Sequence, residues 1–327
     1  MQNQYNVING TGIVPEGATV IDDWAFGGNK ELMEIAVPKS VTIIGESAFA
    51  GCEKLRKIDL PNMIVEIGEM AFDGCGSLKD IVIPNSVRVI RDFAFRGTGL
   101  KSIVIPSSVA RIGVGVFSYC PDLTRLDVEE GNPYYHSQLC DALIDTEYKI
   151  LIQGCSESSL LHNASIIGKS AFCGCKDLKE IILPPVTRIE EYAFEDCSNL
   201  ESVVLPRSLR VIGDYAFSDC QSLTEIIMPD EVVEIGEGAF SGCFDLKSIT
   251  IPDSVKKIGK DAFRSCFSLE EIIIGDNSLL KDANVPQKKK RVNIEIIKEA
   301  QKLLSDYLQK RAEQEGIDLK LGENESK

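Results

Sequence analysis

Residues 251–272 read IPDSVKKIGKDAFRSCFSLEEI. This stretch contains a proline, a glycine and an Ala-Phe pair, and its apolar residues follow neither the period of a helix nor that of a strand along its whole length. Its central phenylalanine, Phe263, has counterparts at a nearly constant spacing earlier in the chain, namely Phe240, Phe217, Phe194 and Phe172. The stretch is therefore one unit of a sequence repeat, and a repeat of about 23 residues predicts a solenoid or a similar array.

The same phenylalanine column occupies the first half of the chain. A longer gap, from Phe117 to Phe172, separates the two groups, and nine of the ten phenylalanines follow alanine. The members of the first group are Phe26, Phe49, Phe72, Phe95 and Phe117. The surrounding columns give the pattern L-x-x-I-x-I-P-x-S-V-x-x-I-G-x-x-A-F-x-G-C. Because so short a unit cannot bury its apolar side alone, we expect the units to stack with their phenylalanines in a buried ladder.

Each part of this pattern predicts one element of the repeat. L-x-x-I-x-I predicts a short parallel strand whose last two apolar residues face the core. Proline follows and ends the strand, because it cannot donate a hydrogen bond to the next strand. V-x-x-I-G predicts a second extended segment. The Ala-Phe stretch predicts about one turn of helix, which ends at glycine in several copies.

The pattern resembles the BspA-like, or treponemal-type, leucine-rich repeat family. Copies such as Ile83-Pro84 through Ala94-Phe95-Arg96-Gly97 carry the resemblance, which extends over about residues 13–275. The resemblance implies a curved, right-handed leucine-rich-repeat solenoid of parallel stacked strands with short helices. For many members it also implies display at the cell surface, with adhesive or protein-binding roles.

The repeat pattern divides the chain into five segments. Residues 1–25 are predicted to form an N-terminal half-rung and cap, and residues 26–128 the first repeat block. Residues 129–160 are an insertion, and residues 161–275 are the second block. Residues 276–327 contain a basic linker and a C-terminal amphipathic α-helix.

The insertion carries its own secondary-structure signal. Two apolar triplets, at 142–144 and 150–152, flank the sequence DTEYK and predict a β-hairpin. One interpretation is an inserted edge element that binds nothing. The other is a protruding contact in which Tyr134, Tyr135 and His136 are amphipathic anchors for a partner.

The C-terminal segment begins with a basic run at 288–291. The run is either a solvated linker or a nuclear signal or site for an acidic partner. From Asn293, which can serve as the N-cap, apolar residues lie along one face of a predicted helix. These are Ile297, Ala300, Leu304 and Leu308. The helix either covers the end of the solenoid or mediates self-association or partner binding.

Composition narrows the classes of partner and compartment. The net charge of −15 argues against nucleic-acid binding, which requires concentrated Lys and Arg. No apolar run reaches the length of a membrane helix, and the first residues show no secretory signal. Eight of the eleven cysteines share one column of the repeat and are predicted to be buried free thiols, which suit a reducing compartment. They are Cys52, Cys75, Cys120, Cys175, Cys197, Cys220, Cys243 and Cys266.

The sequence contains no recognisable catalytic motif. Its two histidines, His136 and His162, lie in no nucleophile or metal pattern, and the glycines occupy repeat corners rather than a phosphate-binding loop. We therefore expect no enzyme activity, no cofactor and no bound metal.

One outward column of the predicted front strand suggests a binding site. The middle residue of I-x-I points away from the core, and it is mostly β-branched and apolar. Strand propensity alone can produce this composition. The alternative is an apolar stripe on the concave sheet, rimmed by Glu180, Glu225 and Glu271, that contacts a partner. The candidate residues are Val82, Val104, Ile182, Val204, Ile227, Thr250 and Ile273.

These features favour a non-catalytic protein-interaction or adhesin-like scaffold that uses the concave sheet. The alternative is an intracellular structural or regulatory protein that assembles through its C-terminal helix. We expect a protein partner and no nucleic acid. The thiol column and the N-terminus favour the cytoplasm, whereas the family resemblance favours the cell surface.

Overall fold

The computed structural model describes residues 5–137, 141–156, 158 and 164–274. Over these residues the backbone winds into stacked turns, one for each sequence repeat, and each turn is called a rung below. Within the same ranges the structure contains 24 short strands, numbered β1–β24 along the chain, and no helix. Their parallel stacking confirms the leucine-rich-repeat solenoid that the repeat pattern predicts.

The L-x-x-I-x-I segments form the strands on one side of the solenoid, named the front face. Neighbouring strands pair in parallel one repeat apart, as in Glu180 beside Ser202. Side chains alternate between core and solvent, so Ile181 is buried and Ile182 is exposed. The front strands are β2 (Thr11–Gly12), β4 (Glu34–Ala36), β6 (Lys57–Asp59), β9 (Ser102–Ile105), β11 (Arg125–Val128), β16 (Glu180–Ile182), β18 (Ser202–Val204), β20 (Glu225–Ile227), β22 (Ser248–Ile251) and β24 (Glu271–Ile274).

The V-x-x-I-G segments form a second parallel ladder, named the back ladder. It runs without a break through each repeat block, with pairs such as Val20 beside Ile43 and Val211 beside Glu234. Its strands are β3 (Val20–Ile21), β5 (Ile43–Ile44), β7 (Glu66–Ile67), β8 (Val89–Ile90), β10 (Arg111–Ile112), β15 (Ile166–Ile167), β17 (Arg188–Ile189), β19 (Val211–Ile212), β21 (Glu234–Ile235) and β23 (Lys257–Ile258).

One rung of the front face has no strand. Residues 81–83 carry the I-x-I pattern, yet they form no strand, and among the described residues no backbone hydrogen bond joins 79–83 to an adjacent rung. The expectation of a strand at this repeat is therefore wrong. The turn that leads into the next front strand, β9, is one residue shorter than the turn before residues 81–83, 98–100 against 75–78.

The Ala-Phe stretch is a series of tight turns rather than a turn of helix. In one rung the amides of Ala48, Ala50 and Cys52 each donate to the carbonyl three residues earlier. The residues two before and two after phenylalanine have positive φ, for example 52° at Ser47 and 69° at Gly51. A left-handed residue cannot continue a right-handed helix, so the predicted short helices are wrong for the described rungs.

The predicted phenylalanine ladder is confirmed. All ten rings are at most 2% exposed. They form two stacks with near-parallel planes and centroid spacings of 4.9–5.7 Å, one from Phe26 to Phe117 and the other from Phe172 to Phe263. The two stacks are the centres of two apolar cores, one in each repeat block.

The insertion joins the two blocks through the back ladder. Its strands are β12 (Tyr135–His136), β13 (Leu143–Asp145) and β14 (Ile150–Gln153). β13 and β14 pair antiparallel as a hairpin, and β14 pairs in parallel with β15, so the insertion adds strands to the ladder. Gly154 then lies against the Phe172 ring, where an added Cβ would overlap the ring carbons. Glycine is therefore required at this junction.

The described residues include the N-terminal end of the solenoid and reach residue 274 at the other end. At the N-terminus β1 (Val7–Ile8) forms an antiparallel hairpin with β2, and β2 continues in parallel into the front face. The predicted C-terminal helix, together with the basic run at 288–291, lies outside the described residues, as does His162.

Candidate partner-binding surface

The front stripe is the column of outward residues predicted from I-x-I: Val82, Val104, Ile182, Val204, Ile227, Thr250 and Ile273. In-register pairing places Ile182 beside Val204, and Thr250 beside Ile227 and Ile273. Position in the strand thus brings together side chains that lie one repeat apart in sequence. The column arises because successive side chains of a strand point to opposite sides.

Exposure varies strongly along the front stripe. Val82 is 82% exposed, Val104 48% and Ile182 46%. Val204, Ile227 and Thr250 are half-buried. Ile273 is only 8% exposed, so its predicted place on the surface is wrong. The accessible apolar residues are therefore concentrated between Val82 and Ile182.

Charged residues interrupt the column within the first block. Asp59 and Asp127 occupy the equivalent positions in their rungs, and Asp127 accepts a hydrogen bond from Arg125 at 2.7 Å. The front stripe is thus divided, with Val82 and Val104 in one patch and Ile182 to Thr250 in another.

Charged side chains flank both patches of the front stripe. Arg56, Lys79 and Lys101 are exposed on successive rungs beside the first patch, and among the described residues no carboxylate forms an ion pair with them. Glu180 and Glu225 are exposed beside the second patch, where an acidic rim is predicted. Exposed charges of the other sign accompany them, with Asp80 on the rung of Val82 and Lys179 and Lys247 beside the second patch, so both flanks are mixed in sign.

A cleft of about 500 Å³ opens beside Val82. It is lined by Asn62 and by residues 82–86, at the rung that lacks a front strand. The cleft thus combines the most exposed apolar side chain of the front stripe with backbone groups that, within the described residues, no neighbouring rung pairs.

The three predicted anchor residues of the insertion differ in their exposure to solvent. Tyr134 is 50% exposed. Tyr135 is buried, and its hydroxyl accepts a hydrogen bond of 3.0 Å from the amide of Ile112 at the edge of β10. Tyr135 therefore completes the back ladder, and its predicted role as a surface anchor is wrong.

His136 is partly buried beside Tyr135. Its Nδ1 is buried and has no hydrogen-bond partner among the described residues. Burial also lowers the pKa of the imidazole, because the charged form is poorly solvated there. His136 is therefore less accessible to a partner than the exposed Tyr134.

Three exposed aromatic features were not predicted from the sequence. Tyr148, at the tip of the hairpin, is 65% exposed. Phe244 and Phe267 stack at 5.5 Å with Phe267 80% exposed, and Tyr192 stacks on Tyr215 at 5.4 Å. The repeat alignment contains a signal for both stacks. Aromatic residues recur in neighbouring repeats two positions before the core phenylalanine, or four positions after it.

The cysteine column is buried as predicted, and its thiols have a structural partner. Cys52 donates to the carbonyl of Phe26 at 3.1 Å, and six other column thiols make the same bond to a phenylalanine of the preceding rung. Cys175, which follows the insertion, instead faces the carbonyl of Gly154. Burial raises the pKa of Cys52 to about 11 and that of Cys266 to about 12. These thiols are packing groups rather than nucleophiles.

No group of His, Cys, Asp or Glu in the described residues is arranged to hold a metal ion. In the same part of the chain, none of the elements is a helix with the length and apolar character needed to cross a bilayer.

The stacked rungs, the parallel ladders and the leucine-phenylalanine core define a leucine-rich-repeat protein. The chain belongs to the BspA type leucine rich repeat region family, whose family model matches residues 6–124 and 156–285. Leucine-rich-repeat proteins are in general non-catalytic scaffolds that bind other proteins.

Solved structures of similar proteins share the fold. A leucine rich cell surface protein from Faecalibacterium prausnitzii is 26% identical, with a TM-score of 0.68 over 82% of this chain and 80% of that protein. The pneumococcal vaccine antigen PcpA is 27% identical, with a TM-score of 0.70 over 84% and 70%. A leucine-rich repeat protein from Bacteroides ovatus is 28% identical, with a TM-score of 0.54 over 83% and 69%. No curated protein matches the sequence.

Proposed function

We propose that this protein is a non-catalytic, adhesin-like scaffold that binds a protein partner through the front stripe. The observation that carries the proposal is the 82% exposure of Val82, in a column where Val104 and Ile182 are also exposed. Isolated apolar residues are common on protein surfaces, whereas exposed apolar residues on neighbouring rungs, such as Val82 and Val104, are typical of an interaction site.

The charged flanks indicate the polarity of the partner. Arg56, Lys79 and Lys101 attract carboxylates beside the first patch, and Glu180 and Glu225 attract basic groups beside the second. Complementary charges of this kind orient a partner and speed its association more than they add affinity. The partner's contact surface should therefore carry charged groups of both signs around an apolar centre.

The similar structures support display at the cell surface. The Faecalibacterium relative is described as a cell surface protein and PcpA as a vaccine antigen. A partner on a host or neighbouring cell is accordingly the one that we expect for this chain.

Affinity capture with the intact chain, followed by mass spectrometry, tests the proposal. The informative variant combines Val82→Glu with Ile182→Glu, which places charge in both patches of the front stripe. The matched control combines Met63→Glu with Val65→Glu, because these residues are 57% and 42% exposed beside the back ladder. We expect the front variant to lose the captured partner and the control to keep it, with unchanged thermal midpoints. Equal capture by both variants would contradict the proposal.

A further inference from the structure

The residue two before each core phenylalanine forms a column on the turns, named the outer turn column. Its members have φ between 52° and 59°. They are Trp24, Ser47, Met70, Phe93, Gly115, Ser170, Tyr192, Tyr215, Gly238 and Asp261. Glycine adopts this conformation without strain, and two rungs use it. The aromatic members are therefore required neither by the backbone nor by the core.

Two of these aromatic residues form a flat stack on the surface of the second block. The rings of Tyr192 and Tyr215 are 5.4 Å apart with an interplanar angle of 5°. Tyr192 is 38% exposed. The Tyr215 hydroxyl donates to Glu237 at 3.0 Å, which fixes the orientation of the second ring. The Tyr215 ring also packs on Gly238, where an added Cβ would overlap its ring carbons, so the aromatic surface that solvent reaches is mainly that of Tyr192.

Carboxylates surround this stack. Burial is the largest cause of the raised pKa of the Tyr192 phenol. The negative charges of the neighbouring carboxylates raise this pKa further; they are Glu195, Glu191, Asp214 and Glu237. Lys169 on the preceding rung pairs with Glu191 at 2.9 Å and is near Tyr192, so one lysine stands against these four carboxylates. A negative environment beside an aromatic face favours a cation over the ring.

In the first block, one aromatic residue of the outer turn column has a cation of the same chain over its ring. Phe93 lies in the same column, and the Arg96 guanidinium carbon is 5.6 Å from its ring centroid. Arg96 also forms an ion pair with Asp73 at 2.8 Å. The residues equivalent to Arg96, three positions after the column residue, are Glu195 and Ser218 in the second block. The chain thus covers one aromatic member with its own arginine, whereas Lys169, the lysine beside Tyr192, is held by Glu191 in an ion pair.

We propose that the Tyr192–Tyr215 stack is a docking site for an arginine- or lysine-bearing segment of a partner protein. The partner's cation occupies over the stack the place that Arg96 occupies over Phe93. The surrounding carboxylates supply the complementary charge. This site lies on the turns rather than on the front face, so it is independent of the front stripe.

Titration of the full-length chain with a fluorescein-labelled tetra-arginine peptide, followed by anisotropy, tests the proposal. A tetra-citrulline peptide of the same shape removes the charge. The decisive variant combines Tyr192→Leu with Tyr215→Leu, which keeps an apolar side chain and the backbone strain but removes the aromatic faces. The corresponding Tyr→Phe double variant keeps the faces and removes only the hydroxyls.

We expect the Leu variant to lose about tenfold in affinity for tetra-arginine, and the Phe variant to stay within about threefold of the parent. A control that combines Phe244→Leu with Phe267→Leu removes the other exposed stack and should leave the affinity unchanged. Unchanged binding by the Tyr→Leu variant would overturn the proposal, because attraction to the net charge alone would then explain it. Binding of tetra-citrulline as tight as that of tetra-arginine would overturn the proposal as well. So would binding of a neutral oligosaccharide by the parent but not by the Leu variant, because the stack would then recognise a sugar rather than a cation.

Discussion

Truncating one ring of the phenylalanine ladder should cost more in the middle of a stack than at its end. Phe72 has a stacked ring on both sides, at 5.1 and 5.2 Å. Phe117 is also buried, but it is the last ring of its stack and packs face to face only on Phe95 among the described rings. Replacing a fully buried phenylalanine by alanine costs about 3–5 kcal/mol. Each stacked ring contact adds about 0.5–1.5 kcal/mol beyond burial.

The expected free energy of unfolding is therefore lower for Phe72→Ala than for Phe117→Ala by about 1 kcal/mol, one ring contact. Urea denaturation followed by the fluorescence of Trp24 measures both variants. The slope with denaturant must be compared as well, since neighbouring rungs of a repeat protein can unfold separately. Equal losses for the two variants would refute the additive stacking argument, and so would a Phe72→Leu variant as unstable as Phe72→Ala.

Three further predictions follow from packing and hydrogen bonding. Gly154→Ala should destabilise the protein by about 1–3 kcal/mol in a thermal melt, because its Cβ would overlap the Phe172 ring, whereas Gly76→Ala, with open space around it, should be neutral. Tyr135→Phe should cost about 1–3 kcal/mol in the same assay, since it leaves the edge amide of the back ladder unpaired, and a loss below about 0.5 kcal/mol would contradict this role. The raised pKa of Cys52 keeps its thiol protonated below about pH 11, so iodoacetamide should label it at about pH 8 only after unfolding; rapid labelling of the folded chain would count against burial.

The repeat pattern predicts those parts of the fold that depend on buried side chains. The phenylalanine ladder, the thiol column and the parallel stacking follow from residues that recur at one spacing, because each must find its equivalent on the next rung. Val82 and Ile182 were predicted on the outer side of the front face for the same reason. These features depend only on strand alternation and on the length of the repeat.

Features that depend on backbone conformation or distant contacts were missed. Trp24 and Tyr192 adopt positive φ, although sequence rules reserve that conformation mainly for Gly, Asn and Asp. The bond between Tyr135 and Ile112 joins the insertion to a strand of the first block, and no local pattern encodes it. Residues 81–83 carry the same I-x-I pattern as the rungs that form strands, so the pattern does not reveal that this strand is missing.

The constant register of the ladders has a consequence for how such a chain can change length over evolution. Within a block most rungs meet their neighbours through the same hydrogen bonds and the same ring contacts, so duplicating or deleting one whole repeat restores them. Gly154 has no such equivalent, because its contact with Phe172 occurs once. Gain and loss of repeats should therefore be tolerated on either side of the insertion, while the junction itself behaves as a fixed point of the architecture.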